Sequence, residues 1–355
     1  MTGKLKIKEI AVLTGLSPST VSRVLAGKSN VSPQAKEKVF YHARHMDILR
    51  DIPASRLLIN SLLICAPAEA FTPHGDHYYY EVIQGVVSAV SHYDTHVKKC
   101  SLDINEADTS LFMRSISQSD VDGVIIIGID DESLYRIAAE SNKPIVTINA
   151  RDKKMRLDCV SPDHYSIGYS AANYLLEKGH RPVLLFTDLR RETMIQRLDG
   201  FKRACLDHHL VFDESEHLLV TKGYGETEAR ANFKKYLQSR TKAELPSAIF
   251  CGSAAIARAV LSELKNQHLQ VPEDISLMSC AYSHEMDEIK QLGLSAACQP
   301  CRELGSEAVY VLQSRLMREV SPRFNLLLQG SIQPGDSVAD VNWRRRELYQ
   351  THSIP

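Results

Sequence analysis

The sequence predicts an N-terminal all-α helix-turn-helix head over residues 1–49 and an α/β body over residues 61–338. Residues 50–60 form a hinge between them, and residues 339–355 form a C-terminal tail. Two observations carry this division. The first fifty residues place apolar side chains at helical spacing, interrupted by Gly and restarted by Ser-Pro pairs, whereas the later residues alternate apolar strand-like runs with helical stretches. The net charge also changes sign between head and body.

The first helix of the head is indicated by Ile7, Ile10, Ala11 and Leu13, which recur at helical spacing and would share one buried face. Gly15 ends this helix, because glycine tolerates the left-handed backbone that a tight exit needs. A turn of three or four residues that contains Gly, followed by a second helix, is typical of a helix-turn-helix.

The second helix begins with Ser17 as the N-cap and Pro18 at the first helical position. Its inner face consists of Val21, Val24 and Leu25, and its outer face of Ser19, Thr20, Ser22 and Arg23. A DNA major groove accepts such a short polar helix, and an Arg can bond the O6/N7 edge of guanine. Residues 32–33 repeat the Ser-Pro start and predict a third helix to about residue 45. A plain three-helix bundle is the alternative interpretation.

Charge supports nucleic-acid binding by the head. Residues 1–50 contain nine Lys and Arg and three acidic residues, a net charge of +6. The remainder contains 33 basic and 40 acidic residues, a net charge of −7. A compact basic segment on an acidic body is the electrostatic pattern of a nucleic-acid-binding protein. A solvated Lys-rich terminus is the alternative.

The body is predicted to be α/β with a parallel sheet. The clearest strands are residues 62–65, 124–127, 145–148, 183–186 and 248–251. The helices between them include residues 79–92, 132–141, 166–178, 226–239 and 254–267. Apolar strands that alternate with helices indicate a sheet covered on both faces, joined by right-handed crossovers.

Several classes of protein are disfavoured. The first residues have no apolar segment typical of a signal peptide, and no run reaches the length of a membrane span, so we expect a cytoplasmic protein that does not contact a membrane. The eight cysteines lie mostly in apolar runs, and Cys298 and Cys301 alone form a C-x-x-C pair, which is weak evidence for a metal or redox site. With no phosphate-binding Gly-rich loop, nucleophile elbow or HExxH motif, we expect no enzyme activity, metal or cofactor.

Residues 6–25 (KIKEIAVLTGLSPSTVSRVL) and 31–39 (VSPQAKEKV) closely resemble the head of the LacI/GalR family of bacterial transcriptional regulators. The resemblance implies that Pro18, Ser19 and Arg23 read bases, that Thr20 and Ser22 seat the helix, and that Lys36 reaches a phosphate. The candidate DNA-binding residues are Ser17, Pro18, Ser19, Thr20, Ser22, Arg23, Asn30, Lys36 and Leu57. Ala26 stands where the family usually has Asn.

The resemblance also gives the hinge a role. In the family, this linker folds into a short helix on DNA, and a Leu from each subunit wedges into a central minor-groove step and bends the duplex. Residues 52–58 (IPASRLL) resemble that element in an altered order, with Leu57 as the wedge and Leu58 as the second choice. Alternatively, both leucines pack on the body.

In the body, residues 121–128 (VDGVIIIG), 179–181 (GHR), 197–202 (RLDGFK), 271–276 (VPEDIS) and 303–305 (ELG) match recurrent motifs of the family. The resemblance implies a periplasmic-binding-protein-like body of two doubly wound parallel-sheet lobes with an effector cleft between them. Chain crossings are expected near residues 161–163, 281–297 and 324–338.

The candidate effector-binding residues are Tyr78, Tyr79, Asp163, Arg197 and Tyr282. An aromatic ring can stack on a sugar or base, and an Arg can fork onto a carboxylate or ribose oxygens. The alternatives are core aromatics for Tyr78 and Tyr79, a helix N-cap for Asp163 and a surface Arg for Arg197.

The sequence departs from the family where the effector would bind. Gly252-Ser253 replaces the common Asn-Asp, and Cys280-Ala281-Tyr282 replaces Phe-Asp-Asp, which removes the ligand-holding acid. A small-molecule effector, which is sugar-like in the family, is therefore one of several hypotheses. The others are an unusual ligand, a protein or phosphorylated partner, and a loss of sensing.

Together, these features predict a repressor that binds a near-palindromic double-stranded operator as a homodimer. The rival interpretation is a small-molecule binding protein with a vestigial head.

Overall fold

The computed structural model describes residues 2–46, 48–52, 56–73, 76–104, 106–118, 120–150, 152–223, 225–282, 286–318 and 322–341. The chain folds into two compact units. Unit 1 comprises Met1–Ser161 and Cys301–Leu327, and unit 2 comprises Pro162–Pro300 and Leu328–Pro355. The predicted C-terminal tail beyond residue 341, with its basic triplet at 344–346, lies outside the described residues.

The head, within unit 1, has three helices: α1 (Thr2–Thr14), α2 (Pro18–Leu25) and α3 (Pro33–His45). The Ser17 hydroxyl accepts a hydrogen bond from the Thr20 amide, and the Ser32 hydroxyl accepts one from the Ala35 amide. Each Ser-Pro pair therefore starts a helix as predicted. Gly15 and Gly27 adopt φ values of +69° and +70°, the left-handed exits that follow α1 and α2.

One part of the predicted head core is wrong. Ile10 and Ala11 are buried as expected, but Leu13 is 54% exposed and Thr14 is buried in its place. The Thr14 hydroxyl bonds back to the Ile10 carbonyl at 2.7 Å, so its polar atom is satisfied within the helix. Apolar character alone had assigned Leu13 to the inner face.

Unit 1 contains a six-stranded sheet in the order β11-β5-β4-β3-β1-β2. Its strands are β1 (Ser61–Ala66), β2 (His96–Ser101), β3 (Gly123–Ile127), β4 (Ile145–Ile148), β5 (Asp158–Pro162) and β11 (Asn325–Leu328). Strands β1 to β5 pair in parallel. The helices outside the head are α4 (His77–Val90), α5 (Thr109–Ile116), α6 (Glu132–Glu140) and α13 (Cys301–Met317). Strands β1 and β3 are buried along their whole length, as a sheet covered on both faces requires.

Unit 2 contains a second six-stranded sheet in the order β12-β10-β9-β8-β6-β7, with β12 antiparallel to β10. Its strands are β6 (Val183–Asp188), β7 (Leu218–Thr221), β8 (Ala248–Cys251), β9 (Ser276–Tyr282), β10 (Ser295–Gln299) and β12 (Ser331–Gln333). Its helices are α7 (His164–Glu177), α8 (Glu192–Asp207), α9 (Glu214–His217), α10 (Glu226–Gln238), α11 (Ala254–Asn266) and α12 (Met286–Gln291). Both sheets follow one doubly wound order, which confirms the predicted pair of similar lobes.

The chain passes between the units after residues 161, 300 and 327. The first and third crossings fall where the sequence predicts them. The prediction of residues 281–297 for the second crossing is wrong, because β9 and β10 pair with each other inside the sheet of unit 2 and the chain leaves only afterwards.

Each unit packs one pair of helices at backbone contact. In unit 1, a Cβ added at Gly85 of α4 would overlap the carbonyl oxygen of Arg302 on α13. In unit 2, a Cβ at Gly168 of α7 would overlap the carbonyl oxygen of Arg197 on α8. Both glycines permit an approach that a larger residue would block, and Gly168 helps to set the position of α8, which carries Arg197.

Candidate nucleic-acid interface and effector site

The outer face of α2 is open to solvent. Ser19, Ser22 and Arg23 are exposed, whereas Val21 and Val24 on the opposite face are buried in the head core. The amphipathic pattern thus fixes which side of α2 faces outward, and that side offers hydroxyl groups and one guanidinium. This is the side-chain set that base edges and phosphates accept in a major groove.

The start of α2 carries a cluster of hydroxyl groups. The Ser17 Oγ lies 2.8 Å from both the Ser19 Oγ and the Thr20 Oγ1, and it accepts the Thr20 amide at 3.1 Å. Pro18 is exposed at the first helical position. Hydroxyl donors at a helix N-terminus form a favourable environment for a phosphate. The structure therefore brings the predicted α2 residues together on one exposed surface.

Two further predicted DNA contacts have different environments. Asn30 is exposed in the loop between α2 and α3. Lys36 is buried, and its Nζ lies 3.2 Å from Asp122 Oδ2 in the body. The resemblance assigns Lys36 to a phosphate, whereas in this structure its charge is paired with a carboxylate of unit 1.

The hinge leucines are buried in unit 1. Leu57 is 6% exposed and Leu58 is 1% exposed. Residues 56–59 have no regular secondary structure, and the Leu58 amide donates to Gln313 Oε1 at 3.0 Å. The structure thus corresponds to the alternative in which both leucines pack on the body. The wedge role of Leu57 remains a prediction, and it would require Leu57 to leave its buried position in unit 1.

Unit 1 has a cavity of about 720 Å³ at the carboxyl ends of β1 and β2. It is lined by Pro67, Ala68, Glu69, Asp76, Tyr79, Ser101, Leu102, Asp103 and Ile104. Tyr79 is buried, and its ring occupies the space that a Cβ at Gly128 would take. Tyr78 is half-buried, and its ring packs edge-on to that of Tyr79 with centroids 5.1 Å apart.

Sequence reasoning did not single out the three carboxylates of this cavity. Asp76 is the N-cap of α4, where its side chain accepts the Tyr79 amide at 3.1 Å. Asp103 follows β2 and accepts the Glu106 amide at 3.0 Å. The signal available in the sequence was the position of Glu69 three residues after β1, because ligands bind at the carboxyl ends of parallel strands.

In unit 2, Arg197 is 2% exposed. Its Nη1 donates to the Gly252 carbonyl at 3.0 Å, and its Nη2 lies 3.1 Å from His164 Nδ1. Burial and the positive charges of Arg197 and Arg191 hold the pKa of His164 well below its ordinary value. His164 is therefore neutral at pH 7, and its Nδ1 can accept from the guanidinium. Arg197 is a buried connection between α8, α7 and the end of β8, and is not a surface residue.

The remaining effector candidates are local to unit 2. Asp163 caps α7, accepting the Ser166 amide at 2.9 Å and the Ser166 hydroxyl at 2.5 Å. This is the N-cap alternative stated for Asp163. Tyr282 is half-buried at the end of β9, and the neighbouring Ala281 is buried.

No group of three or more His, Cys, Asp or Glu side chains that could hold a metal ion occurs in the described parts of the chain. Cys298 lies in β10 of unit 2, and Cys301 begins α13 in unit 1. None of the described helices is both long and apolar enough to cross a membrane.

Comparisons with known proteins agree with this architecture. The model of "Bacterial regulatory proteins, lacI family" matches residues 6–47, and that of the "Periplasmic binding protein-like domain" matches residues 172–338. The HTH-type transcriptional repressor PurR of Histophilus somni (strain 2336) is 23% identical over 317 residues, which cover 87% of this chain and 92% of the relative. The ribose operon repressor of Haemophilus influenzae is 26% identical over 319 residues, covering 87% and 91%.

Two solved structures share the fold. The transcriptional regulator CelR in complex with cellobiose has a TM-score of 0.66 at 20% identity, covering 93% of this chain and 99% of CelR. The transcription regulator CcpA of Lactococcus lactis has a TM-score of 0.65 at 20% identity, covering 79% and 99%. A basic helix-turn-helix joined to two periplasmic-binding-protein-like lobes defines a DNA-binding transcription regulator. The chain belongs to the LacI family of these regulators.

Proposed function

We propose that this protein is a repressor that binds a near-palindromic operator as a homodimer, with the outer face of α2 in the major groove. The observation that supports the proposal is the exposure of Ser19, Ser22 and Arg23 above a buried apolar face, on a head with a net charge of +6. A two-fold dimer presents two such helices to half-sites about one helical turn apart.

Arg23 is proposed to read a guanine, since a guanidinium donates bidentately to O6 and N7. Loss of such a contact costs about 1–3 kcal/mol in discrimination against the wrong base. Duplexes selected from a random pool at about 150 mM salt, where phosphate-only binding is weak, should converge on one near-palindrome. Arg23→Ala should relax one position in each half-site.

Lys38→Ala is the matched control, because Lys38 is an exposed cation of the same head on α3. Its loss should weaken binding equally across sequences and leave the selected motif intact. If the protein is folded, as judged by circular dichroism, but selects no motif, the result would favour the alternative, a small-molecule binding protein with a vestigial head. Sedimentation of the protein with one duplex tests the proposed dimer.

We also propose a small-molecule effector in the cavity of unit 1. Carboxylates of Glu69, Asp76 and Asp103 offer hydrogen-bond acceptors beside the Tyr79 ring, a combination suited to a hydroxyl-rich or amine-bearing ligand.

A panel of monosaccharides, purine bases and polyamines, tested by thermal shift, should contain a stabilising compound. Glu69→Gln should reduce that shift, whereas Glu106→Gln, an exposed residue outside the cavity lining, should not. If no compound in the panel stabilises the protein, a regulator without such an effector is the better proposal, as the replacement of the ligand-holding acid by Ala281 also suggests.

A further inference from the structure

The head of this protein is fastened to unit 1 by a carboxylate of the body. Asp122 Oδ2 accepts from Lys36 Nζ at 3.2 Å, from the Asn60 amide at 2.7 Å and from the Ser61 amide at 3.1 Å. The Lys36 and Asp122 side chains are only 10% and 14% exposed. One oxygen atom therefore holds a cation of α3 and two amides at the end of the hinge.

A second carboxylate holds the loop that precedes α3. Asp94 Oδ2 accepts from the Ser29 amide at 3.2 Å and also from the Ser29 hydroxyl. These bonds lower the pKa of Asp94, so it is ionised at neutral pH. Asn60 completes the contact, because its Nδ2 donates to the Gly27 carbonyl at 2.8 Å and to the Asp94 carbonyl at 3.0 Å.

Residues 56–59 of the hinge have no regular secondary structure and are held between the head and the body. Gln313 of α13 accepts the Leu58 amide at 3.0 Å and donates to the Arg56 carbonyl at 3.1 Å. Arg56 Nη1 donates to the Leu25 carbonyl at 3.0 Å. In an α-helix over residues 52–58, the Leu58 amide would instead donate to the carbonyl four residues earlier. The docked hinge and a helical hinge therefore exclude each other.

Asp94 and Asp122 accept hydrogen bonds from head groups that a DNA phosphate would also contact. Ser29 and Lys36 lie in the loop and first turn of α3, next to Asn30, where amides, hydroxyls and a Lys are suited to a phosphate. Asp94 and Asp122 stand in for such a phosphate within the same chain. The exposed face of α2 is left free, so docking affects phosphate contacts and the hinge but not base reading.

We propose that this docked head is an autoinhibitory contact: Asp94, Asp122 and Gln313 hold the head and the hinge in a form that DNA must displace. The proposal rests on the proposed function of the head in DNA binding. Since docking and DNA compete for the same donors, loosening the docked form raises the affinity for any duplex and does not alter the sequence that is preferred.

Asp122→Asn in the full chain tests the proposal. Asp120→Asn is the matched control, because it removes the same negative charge only two residues from Asp122. The Asp120 side chain is exposed, pairs with Lys98 and does not touch the head. Gln313→Ala is the second variant, since it releases the hinge without a change in charge. Each variant is first compared with the wild type by thermal unfolding to establish that it is folded.

Affinity is measured on a random-sequence duplex at about 50 mM salt and on any selected operator. We expect Asp122→Asn and Gln313→Ala to bind both duplexes about three- to tenfold more tightly than Asp120→Asn, where tenfold corresponds to 1.4 kcal/mol. Without DNA, the Leu58, Asn60 and Ser61 amides should exchange with deuterium faster in both variants than in the control. Affinity equal to that of the control, or unchanged exchange, would overturn the proposal. Absence of sequence preference would instead count against the proposed function alone, because the random duplex still reports the competition.

Discussion

Arg197 gives the sharpest test of how unit 2 is built. The resemblance assigns it to an effector, whereas the structure buries it and directs its two terminal nitrogens to the Gly252 carbonyl and to His164. Arg197→Ala removes both contacts and leaves a buried carbonyl without its donor. If Arg197 is mainly a connection inside unit 2, this substitution should destabilise the folded protein even when no effector is present.

The magnitude follows from the two contacts. A hydrogen bond to a charged group contributes about 1.5–3 kcal/mol, and part of this gain offsets the desolvation of the guanidinium. We therefore expect Arg197→Ala to lower the free energy of unfolding by about 3–5 kcal/mol. Arg203→Ala on the same helix should change it by at most about 0.5 kcal/mol, because Arg203 is exposed and its ion pair with Asp207, one turn further along α8, is a surface pair.

The assay is urea unfolding of the full chain, followed by circular dichroism, with both variants and the wild type measured under the same conditions. A loss below about 1 kcal/mol for Arg197→Ala, similar to that of Arg203→Ala, would refute the reasoning from buried contacts. Unchanged stability together with lost binding of an effector would favour the role that the resemblance assigns.

Three further predictions concern stability and can be checked by thermal unfolding. Because the folded state holds the pKa of His164 below its ordinary value, stability should fall as the pH drops below about 6.5, and His164→Gln should flatten that dependence between pH 7 and 5. Gly168→Ala should cost about 1–3 kcal/mol by forcing α7 from α8, whereas Gly225→Ala, which meets no atom within 4 Å, should cost less than 1 kcal/mol. Asp158→Ala should cost about 3–5 kcal/mol because it removes the buried carboxylate that pairs with Arg315 and accepts the Phe324 amide, and a loss below 1 kcal/mol would contradict this.

Five strands were predicted from the sequence because each forms a continuous apolar run that is buried on both faces: β1, β3, β4, β6 and β8. The predicted strand at residues 248–251 coincides with β8, and that at 62–65 lies within β1. Strand β2 was missed because it lies at the edge of its sheet and exposes His96, Lys99 and Ser101, so its composition lacks a continuous apolar run.

The exposed face of α2 was predictable for a similar reason: its buried and exposed positions follow one helical period, and its N-cap, Ser17, lies within the same segment. The environment of Lys36 was not predictable, because its partner Asp122 lies 86 residues away and no local pattern joins them. The carboxylates of the cavity escaped notice because they are brought together by the ends of separate strands.

The charge asymmetry between head and body also bears on contacts within the molecule. The sequence indicates a basic head suited to DNA and an acidic body without an assigned role. The structure places two of the body's carboxylates directly against head donors, at Ser29 and Lys36. An acidic body can therefore compete with DNA inside the molecule. The Lys36–Asp122 contact is an ion pair, which salt weakens. Its displacement by DNA should therefore make the salt dependence of DNA binding shallower than the number of contacted phosphates alone predicts.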